Sequence, residues 1–317
     1  MGVRILPFGR SACLFELEAG GIRAAVTDFG AALVALHHPD GTNVVLGFDD
    51  VAGYQADSQF VGVIVGRYAN RIARGHFILD GQAWTLPRND GPNHLHGGPD
   101  GFGRRFWTAE VDAENTAVQF SIRSPHLDQG YPGTVEATAQ YRIDNNGRLL
   151  LTLSATADRP TIVNLAPHAY FNLAGSRDIG GHRLQLRASR YTPVDDTLIP
   201  TGHLATVDGS PFDLRVPSSF PPDIDMNFAI DGSPGGLRDV ATVTHVDLQR
   251  RLAVRATAPG VQVYGGKYLA NGGHFPAHAG FCIEPQYFPD APNQSGFAVP
   301  RINQSGEYRE AVEYTLS

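Results

Sequence analysis

Short runs in which hydrophobic and polar residues alternate recur along most of the chain. Alternation with a period of two puts one face of an extended strand in the core and the other in solvent. The strand of residues 148–156, RLLLTLSAT, is apolar on both faces for part of its length, so we expect it to be central in its sheet. In all, the pattern predicts strands over residues 13–18, 22–27, 31–37, 106–111, 117–123, 134–143, 148–156, 183–188, 241–246, 251–257, 261–264, 281–284 and 311–316.

Turn signals separate these predicted strands. Asp40-Gly41 and Asp80-Gly81 are typical of two-residue hairpin turns, and Asn146-Gly147 ends the connection before residue 148. No stretch of ten or more residues has a 3.6-residue apolar period, so we expect only short helical turns, near residues 51–60 and 218–223. No shift in composition and no linker marks a boundary. The sequence therefore predicts an all-β protein with residues 1–317 in a single domain, a sandwich or a barrel.

The composition narrows the possible partners and locations. The 317 residues carry a formal net charge of −7 and no basic cluster, which argues against nucleic acid as a partner. No apolar run approaches the roughly 18 residues of a membrane span, and the N-terminal sequence lacks the apolar core of a signal peptide. Cys13 and Cys282 are expected to be buried free thiols, with one long-range disulfide as the alternative. A cytoplasmic location is the resulting expectation.

One stretch, TIVNLAPHAYFNLAG at residues 161–175, is a first candidate for chemistry. We predict an apolar strand over residues 161–165, which leads through Pro167 to His168. A histidine delivered by a buried strand to a proline-fixed bend has a fixed backbone, as a proton-transfer catalyst requires. A hydrogen-bonded structural histidine at a strand end explains the pattern equally well.

A second candidate is Glu284, which follows three apolar residues in GFCIEP and precedes Pro285. Removing a carboxylate from water is costly unless the group is paired or its pKa is raised. Both conditions are compatible with a general base. The alternative is a structural ion pair with an arginine.

Polar residues in long loops complete the candidates, since loops carry the chemistry of such scaffolds. The long polar segments are residues 88–105, 191–225 and 285–304. In the first of them, His94 and His96 are two positions apart and would share a face of an extended segment, which suggests a metal pair. Only Asp100 offers a nearby carboxylate, and a metal site needs three or four ligands, so we expect no metal centre.

Taken together, these segments resemble the aldose 1-epimerase (galactose mutarotase) family over roughly residues 10 to 315. The shared motifs occur in family order and spacing: NRI at 70–72, LHGG at 95–98, NLxxHxYFNLAG at 164–175, IPTG at 199–202, PFDL at 211–214 and EPQYFPDAPN at 284–293. The resemblance implies a large single-domain antiparallel β-sandwich, monomeric or homodimeric, that interconverts the α and β anomers of a free aldose. It implies no cofactor and no metal.

The resemblance also assigns roles to residues of this chain. Glu284 is expected to take the proton of the anomeric hydroxyl and His168 to protonate the ring oxygen. The residues expected to bind the sugar are Asn70, Arg71, His96, Tyr170, Asp225 and Gln262.

The sequence departs from the family pattern at several positions and is compatible with other functions. The chain has Met226, Lys267, Pro285 and Tyr287 where other residues are usual; we expect these positions to surround the sugar and to affect which aldose is preferred. A hexose-6-phosphate epimerase would need basic side chains that converge at the cleft, for which Arg67, Arg74, Arg104 and Lys267 are candidates. A non-catalytic sugar-binding protein, or a glycosidase that uses Asp225 with Glu284, are further alternatives.

Overall fold

The computed structural model describes residues 2–175, 178–221, 223–304 and 306–317, and they form a protein built almost entirely from strands. Its helical parts are α1 (Val51–Ala56) and five single 3₁₀ turns, Ala73–Gly75, Phe102–Arg104, Asp128–Gly130, Leu269–Gly272 and Ala291–Asn293. The strands of the first half are β1 (Gly2–Phe8), β2 (Ala12–Ala19), β3 (Ile22–Thr27), β4 (Leu33–His37), β5 (Ile64–Val65), β6 (Arg71–Ile72), β7 (His76–Leu79), β8 (Gln82–Thr85), β9 (His94–Leu95), β10 (Thr108–Asp112), β11 (Ala117–Ser124), β12 (Val135–Ile143) and β13 (Arg148–Ala157). Those of the second half are β14 (Thr161–Ile162), β15 (Ala166–Pro167), β16 (Tyr170–Phe171), β17 (His182–Leu186), β18 (Arg190–Tyr191), β19 (Ala205–Thr206), β20 (Asp225–Ala229), β21 (Arg238–His245), β22 (Arg250–Ala256), β23 (Gly260–Tyr264), β24 (Phe281–Gln286), β25 (Arg301–Ile302) and β26 (Glu307–Leu316).

Three antiparallel sheets carry most of these strands. The largest has eight strands in the order β10-β11-β12-β13-β26-β22-β21-β17. A six-stranded sheet has the order β16-β24-β23-β20-β18-β19, and a four-stranded sheet has the order β1-β2-β3-β4. The remaining ladders are two-stranded: β14-β25, β15-β5, β6-β9 and β7-β8.

The core lies between the eight-stranded sheet and the other two. Phe15 of the four-stranded sheet packs edge-on against Phe120 of the eight-stranded sheet, with ring centroids 5.5 Å apart. Phe171 of the six-stranded sheet lies 5.3 Å from Tyr314 of β26. All these side chains belong to one buried cluster, so one face of each sheet is committed to hydrophobic packing. The fold is a large antiparallel β-sandwich, as expected.

The regular strands agree well with the alternation in the sequence. β13 is central in its sheet, as predicted, and buried residues occupy every second position from Leu149 to Ala155. At the β7–β8 hairpin both Asp80 (φ 52°) and Gly81 (φ 77°) have positive φ, as its two-residue turn requires. A helix does occur within residues 51–60, as α1.

Other predictions were wrong. The apolar segment 161–165 is not one strand: β14 ends at Ile162, and β14, β15 and β16 pair with three different partners, because this buried segment crosses between layers. In residues 218–221 and 223 there is no helix; Ser218 instead exchanges backbone hydrogen bonds with Leu184 (Pro222 lies outside the described residues). Among the strands of four or more residues, β1 and β20 were not predicted.

The cysteines and the helices bear on two further expectations. Both Cys13 and Cys282 are free thiols, so the disulfide alternative is wrong, and Cys13 is only partly buried. Among the described residues, no helix is both long and apolar enough to cross a membrane.

Candidate active site

A cleft of about 780 Å³ opens over the six-stranded sheet. Neighbouring strands in this sheet place residues opposite one another, so their side chains share a face: Gln262 of β23 lies opposite Glu284 of β24, and Asp225 of β20 lies opposite Tyr264. The alternate residues, such as Ile283 and Val263, point to the hydrophobic core. One face of the sheet therefore seals the core, and the other forms the floor of the cleft. The walls come from loops within residues 58–60, 89–104, 196–198 and 268–271.

His168 is fixed at this floor by its backbone and its ring. Its N–H donates to the carbonyl of Val63 (2.9 Å), and its carbonyl accepts from the N–H of Gly62 (3.1 Å). The ring lies 5.1 Å from that of Tyr170, and its Nδ1 is 3.7 Å from Sγ of Cys282. The side chain is buried but lines the cleft. The fixed backbone expected from the sequence is present.

Glu284 faces the other ring nitrogen of His168. Its Oε2 lies 3.7 Å from Nε2, which is too long for a direct hydrogen bond. Only 1% of Glu284 is exposed, and no described residue donates a hydrogen bond to Oε2. The structural ion pair with an arginine that the sequence left open is absent from the described salt bridges. A buried carboxylate oxygen is thus aimed at the cleft without a partner.

The electrostatics of the pair follow from this burial. Burial lowers the pKa of His168 to about 4. Burial also raises the pKa of Glu284 well above its usual range; the nearby Asp225 carboxylate adds to this increase and Arg71 opposes it. Both shifts favour uncharged forms. In the free protein, burial therefore favours a proton on Glu284 over a proton on His168.

His96 presents a hydrogen-bond donor to the cleft. Its Nδ1 accepts from the backbone N–H of Asn70 (3.1 Å), and burial, followed by the neighbouring His168 and Arg71, lowers its pKa well below the usual range. A neutral imidazole whose Nδ1 is an acceptor carries its proton on Nε2. His96 also lies edge-on to His168, with centroids 5.2 Å apart.

His94 differs from His96, which corrects the expectation that the two share a face. β9 ends at Leu95 and His96 has a φ of 51°, so the chain turns between the two side chains. Nδ1 of His94 contacts the carbonyl of Pro87, and Nε2 contacts the hydroxyl of Tyr131, both at 2.7 Å. Both ring nitrogens are thus used in structural contacts.

Arg71, Asp225 and Gln262 form a polar group beside the pair. Arg71 donates through Nε to the Asp90 carboxylate (2.7 Å). Asp90 was not among the residues expected from the sequence. Gln262 donates through Nε2 to Oδ1 of Asp225 (2.6 Å), while its buried Oε1 has no partner among the described residues. Burial raises the pKa of Asp225, opposed mainly by Arg71. The Oε1 atom is an acceptor available to a ligand hydroxyl.

Asn70 and Tyr170 line the same cleft. Oδ1 of Asn70 accepts from the N–H of Arg71 (2.9 Å), and no described residue accepts from its Nδ2. The Tyr170 hydroxyl donates to the carbonyl of Gln59 (2.9 Å), so it is the ring of Tyr170 that can contact a ligand. All eight residues expected from the sequence therefore lie at one cleft.

Phe60 is a cleft residue that the sequence did not reveal. Its ring lies 4.7 Å from that of His96 and 5.9 Å from that of His168, and the Arg104 guanidinium sits 5.6 Å from its centroid. The Asp57 carboxylate accepts from the N–H groups on both sides, at Gln59 and Val61 (2.8 Å each). This loop covers the two histidines with an apolar ring.

Comparison with known proteins shows the family to which this chain belongs. The sequence profile described as Aldose 1-epimerase matches residues 14–315. The chain belongs to the aldose 1-epimerase family. It is 39% identical to a galactose mutarotase of Bos taurus, over 96% of this chain and 93% of that protein. It is 35% identical to an aldose 1-epimerase of Escherichia coli (strain K12), over 93% and 92% of the two chains.

Solved structures agree with this assignment. The crystal structure of an aldose epimerase homologue from C. elegans matches with a TM-score of 0.90 and 30% identity, over 97% of this chain and 99% of the other. A galactose 1-epimerase from Lactobacillus acidophilus NCFM matches with a TM-score of 0.87 and 26% identity, over 99% and 98%. The protein is accordingly an isomerase of the aldose 1-epimerase type, which confirms the function expected from the sequence.

Several family motifs hold the cleft together without lining it. Asn164 accepts from the N–H of Tyr287 (2.9 Å) and donates to the carbonyl of Ala69 (3.3 Å), so it ties two loops together. Gly97, with a φ of 84°, packs so closely on Gly66 that a Cβ would lie 1.8 Å from the Gly66 carbonyl oxygen. These residues explain part of the motif pattern through backbone packing.

The departures from the family pattern do not surround the cleft, contrary to expectation. Met226 is buried in the core, and the Lys267 ammonium lies over the Tyr268 ring and 3.9 Å from the Asp223 carboxylate. None of Met226, Lys267, Pro285 and Tyr287, all of which the structure describes, lines the cleft.

Proposed function

We propose that Glu284 and His168 are the base and acid with which this aldose 1-epimerase interconverts the α and β anomers of a free aldose. The observation that carries this proposal is the pair itself, 3.7 Å apart at the floor of a cleft, with the carboxylate oxygen unpartnered. A reaction that moves two protons and no electrons needs one base, one acid and oriented polar groups.

The two steps balance around a single shared proton. The reaction starts from the less populated form, in which the proton is on His168 and Glu284 is ionised. Glu284 takes the proton of the anomeric hydroxyl, His168 protonates the ring oxygen, and the bond between C1 and that oxygen breaks. The open-chain aldehyde then faces a neutral His168 and a protonated Glu284, the distribution that burial favours. After rotation about the C1–C2 bond, the hydroxyl that was formed from the ring oxygen attacks C1. His168 takes back its proton from that hydroxyl, and Glu284 protonates the carbonyl oxygen.

Neighbouring groups supply the orientation. Nε2 of His96 and the guanidinium of Arg71 are donors to sugar oxygens, including the ring oxygen on which charge develops. Oε1 of Gln262 accepts from a hydroxyl, and Asn70 and Asp225 hold others. The Tyr170 ring lies against the sugar beside His168.

A neutral sugar fits this cleft better than a sugar phosphate. Arg67, once a candidate phosphate ligand, is buried behind the cleft, where it donates to the carbonyls of Pro132 and Gly133 (2.9 Å each). Among the described cleft residues, Arg71 and Arg104 are the only arginines and none is a lysine, and Arg71 is already paired with Asp90. We propose glucose and galactose as the substrates, and we expect the purified protein to act on them without a cofactor.

Polarimetry tests the proposal directly. The protein should accelerate the change in optical rotation of freshly dissolved α-D-glucose and α-D-galactose, and should act more weakly on glucose 6-phosphate. A protein that binds glucose by calorimetry but leaves the rate at the buffer value would instead be a sugar-binding protein.

We also propose a location, a domain organisation and an assembly state. Its two free cysteines fit a reducing cytoplasm. The main hydrophobic cluster draws on all three large sheets, which supports one domain over residues 1–317. We predict a monomer or homodimer, which light scattering can test. We also predict no nucleic acid or membrane partner, which binding assays can test.

A further inference from the structure

Cys282 lies beside the acid–base pair, although the proposed reaction does not use it. It is fully buried on β24, two positions before Glu284, and its Sγ is 3.7 Å from Nδ1 of His168. Strand alternation puts Cys282 and Glu284 on the same face of β24. Cys282 lies opposite Tyr170 of the neighbouring strand β16, and Tyr170 follows His168 by two residues. Sheet register thus places a thiol, an imidazole and a carboxylate together.

The spacing of these groups approaches that of a metal site. One ligand atom from each of His168, Cys282 and Glu284 lies within 4.8 Å of the others. Bonds of roughly 2.3 Å to sulfur and 2.0–2.2 Å to nitrogen and oxygen put tetrahedral zinc ligands roughly 3.4–3.6 Å apart. Sγ of Cys282 and Nδ1 of His168, 3.7 Å apart, are already close to this value. Glu284 faces Nε2 on the other side of the ring, so its side chain would rotate toward Nδ1 to complete the set.

A second observation points to a ligand. Glu284 is almost completely buried, yet its Oε2 has no hydrogen-bond donor among the described residues. His168 and Glu284 both line the open cleft, so an ion can reach them from solvent. Three protein ligands with a fourth position facing water would complete the coordination of Zn²⁺ or Cd²⁺, and the thiolate favours such soft cations over Mg²⁺ or Ca²⁺.

We propose that the cleft floor is an inhibitory site for a thiophilic divalent cation, Zn²⁺ or Cd²⁺, bound by Cys282, His168 and Glu284. Binding releases the thiol proton, and the proton shared by His168 and Glu284, to solvent; no oxidation or reduction is involved. The bound cation occupies both the acid and the base, so it blocks the reaction and competes with the sugar. The inhibitory effect rests on the proposed function, whereas cation binding does not.

The other cysteine provides a matched control. Cys13 is a partly buried free thiol on β2, in a different sheet and outside the cleft lining. Cys282→Ala and Cys13→Ser variants therefore separate the proposed site from thiol binding in general. Cys282→Ser serves as a second, nearly isosteric variant if the alanine variant folds poorly.

The experiment titrates each purified protein with CdCl₂ and follows the ultraviolet thiolate-to-cadmium charge-transfer absorption. In parallel, polarimetry with ZnCl₂ measures inhibition as a fraction of each protein's own metal-free rate. Wild type and Cys13→Ser should show the absorption band and competitive inhibition that EDTA reverses. In the Cys282 variants the band should be lost and the half-inhibitory concentration should rise by about 10- to 100-fold or more.

Two results would overturn the proposal: a band that persists in both Cys282 variants, or equal inhibition of wild type and those variants by Zn²⁺. If the protein has no epimerase activity, the cadmium titration still decides whether the site exists. Failure of the metal site and failure of the proposed reaction are therefore distinguishable.

Discussion

The eight-stranded and six-stranded sheets bury their strands in different ways. In β13 of the larger sheet, buried positions alternate with partly exposed ones. In β23 and β24 of the smaller sheet every position is buried. One face of the smaller sheet is nevertheless polar, with Gln262, Glu284 and Gln286 among its side chains.

The buried polar side chains on this face mark the six-stranded sheet as the part of the molecule that carries the candidate site. Burying a polar group without a partner costs free energy, so a structural strand would normally replace it with an apolar residue. Buried polar atoms of Asn227, Gln262, Glu284 and Gln286 have no hydrogen-bond partner among the described residues, and all four side chains are in the six-stranded sheet. In the eight-stranded sheet the corresponding atoms are the Tyr314 hydroxyl and Nε of Arg238, which lie outside the cleft lining. Gln262 and Glu284 do line the cleft, so the six-stranded sheet leaves buried polar atoms without protein partners where a ligand can reach them.

The sharpest way to test this comparison is to remove one buried glutamate from each sheet. Glu284→Gln should lower kcat by about 10²–10⁴-fold or more, since it removes the proposed base. Glu313 of β26 is also buried, but it pairs with Arg148 and Arg255 at 3.2 Å each. Glu313→Gln should lower stability and leave kcat near that of wild type. Polarimetry and thermal unfolding of both variants check this, and full activity in Glu284→Gln would refute its role.

A pair of buried histidines gives the next largest contrast. His168→Asn should lower kcat by about 10²–10⁴-fold with a small change in stability. His182 of β17 is equally buried, but its Nε2 accepts from the N–H of Leu173 (2.9 Å) and its Nδ1 contacts the carbonyl of Ile179. His182→Asn should cost about 1–3 kcal/mol of unfolding free energy and spare kcat. Denaturant titration and kinetics check this contrast. A large loss of kcat in His182→Asn, with a large loss of stability but normal kcat in His168→Asn, would contradict it.

Phe60 should show a smaller effect on the rate. Phe60→Ala removes the ring that covers His96 and His168 and admits water to the pair. We expect kcat to fall by about 10-fold, because general acid–base groups act less effectively in a wetter site. Phe106, a half-exposed aromatic outside the cleft lining, is the control. Equal rates for Phe60→Ala and Phe106→Ala would exclude a role for the Phe60 ring.

The smallest expected effect is a dependence of stability on pH. Burial raises the pKa of Glu284, so the folded protein keeps this proton at pH values where the unfolded chain has lost it. Stability from this group is full below the unfolded pKa and declines as the pH rises toward the folded pKa. Gln cannot ionise, so the Tm of Glu284→Gln minus that of wild type should be larger at about pH 7.5 than at about pH 4.5. A difference that is constant or shrinks with rising pH would contradict the raised pKa.

Local signals predicted much of the fold, and the residues chosen from those signals and from the family resemblance meet at one cleft. Alternation located β13, the Asp80-Gly81 signal located a hairpin, and burial arguments selected His168 and Glu284. The failures come from long-range pairing. The positive φ of His96 separates it from His94, and the contact of Cys282 with His168 depends on the register between β16 and β24. Neither follows from the spacing of residues in the sequence.

The position of β26 has a consequence for how the chain folds. Strands β10 to β13 can form from successive hairpins, as can β21 and β22, but β26 pairs between β13 and β22 and joins these two parts of the sheet. Leu149 pairs with Tyr314, so a large loop must close before this strand docks. Until then β13 and β22 each expose a sheet edge that can recruit another chain. We expect slow refolding that loses yield to aggregation as the protein concentration rises.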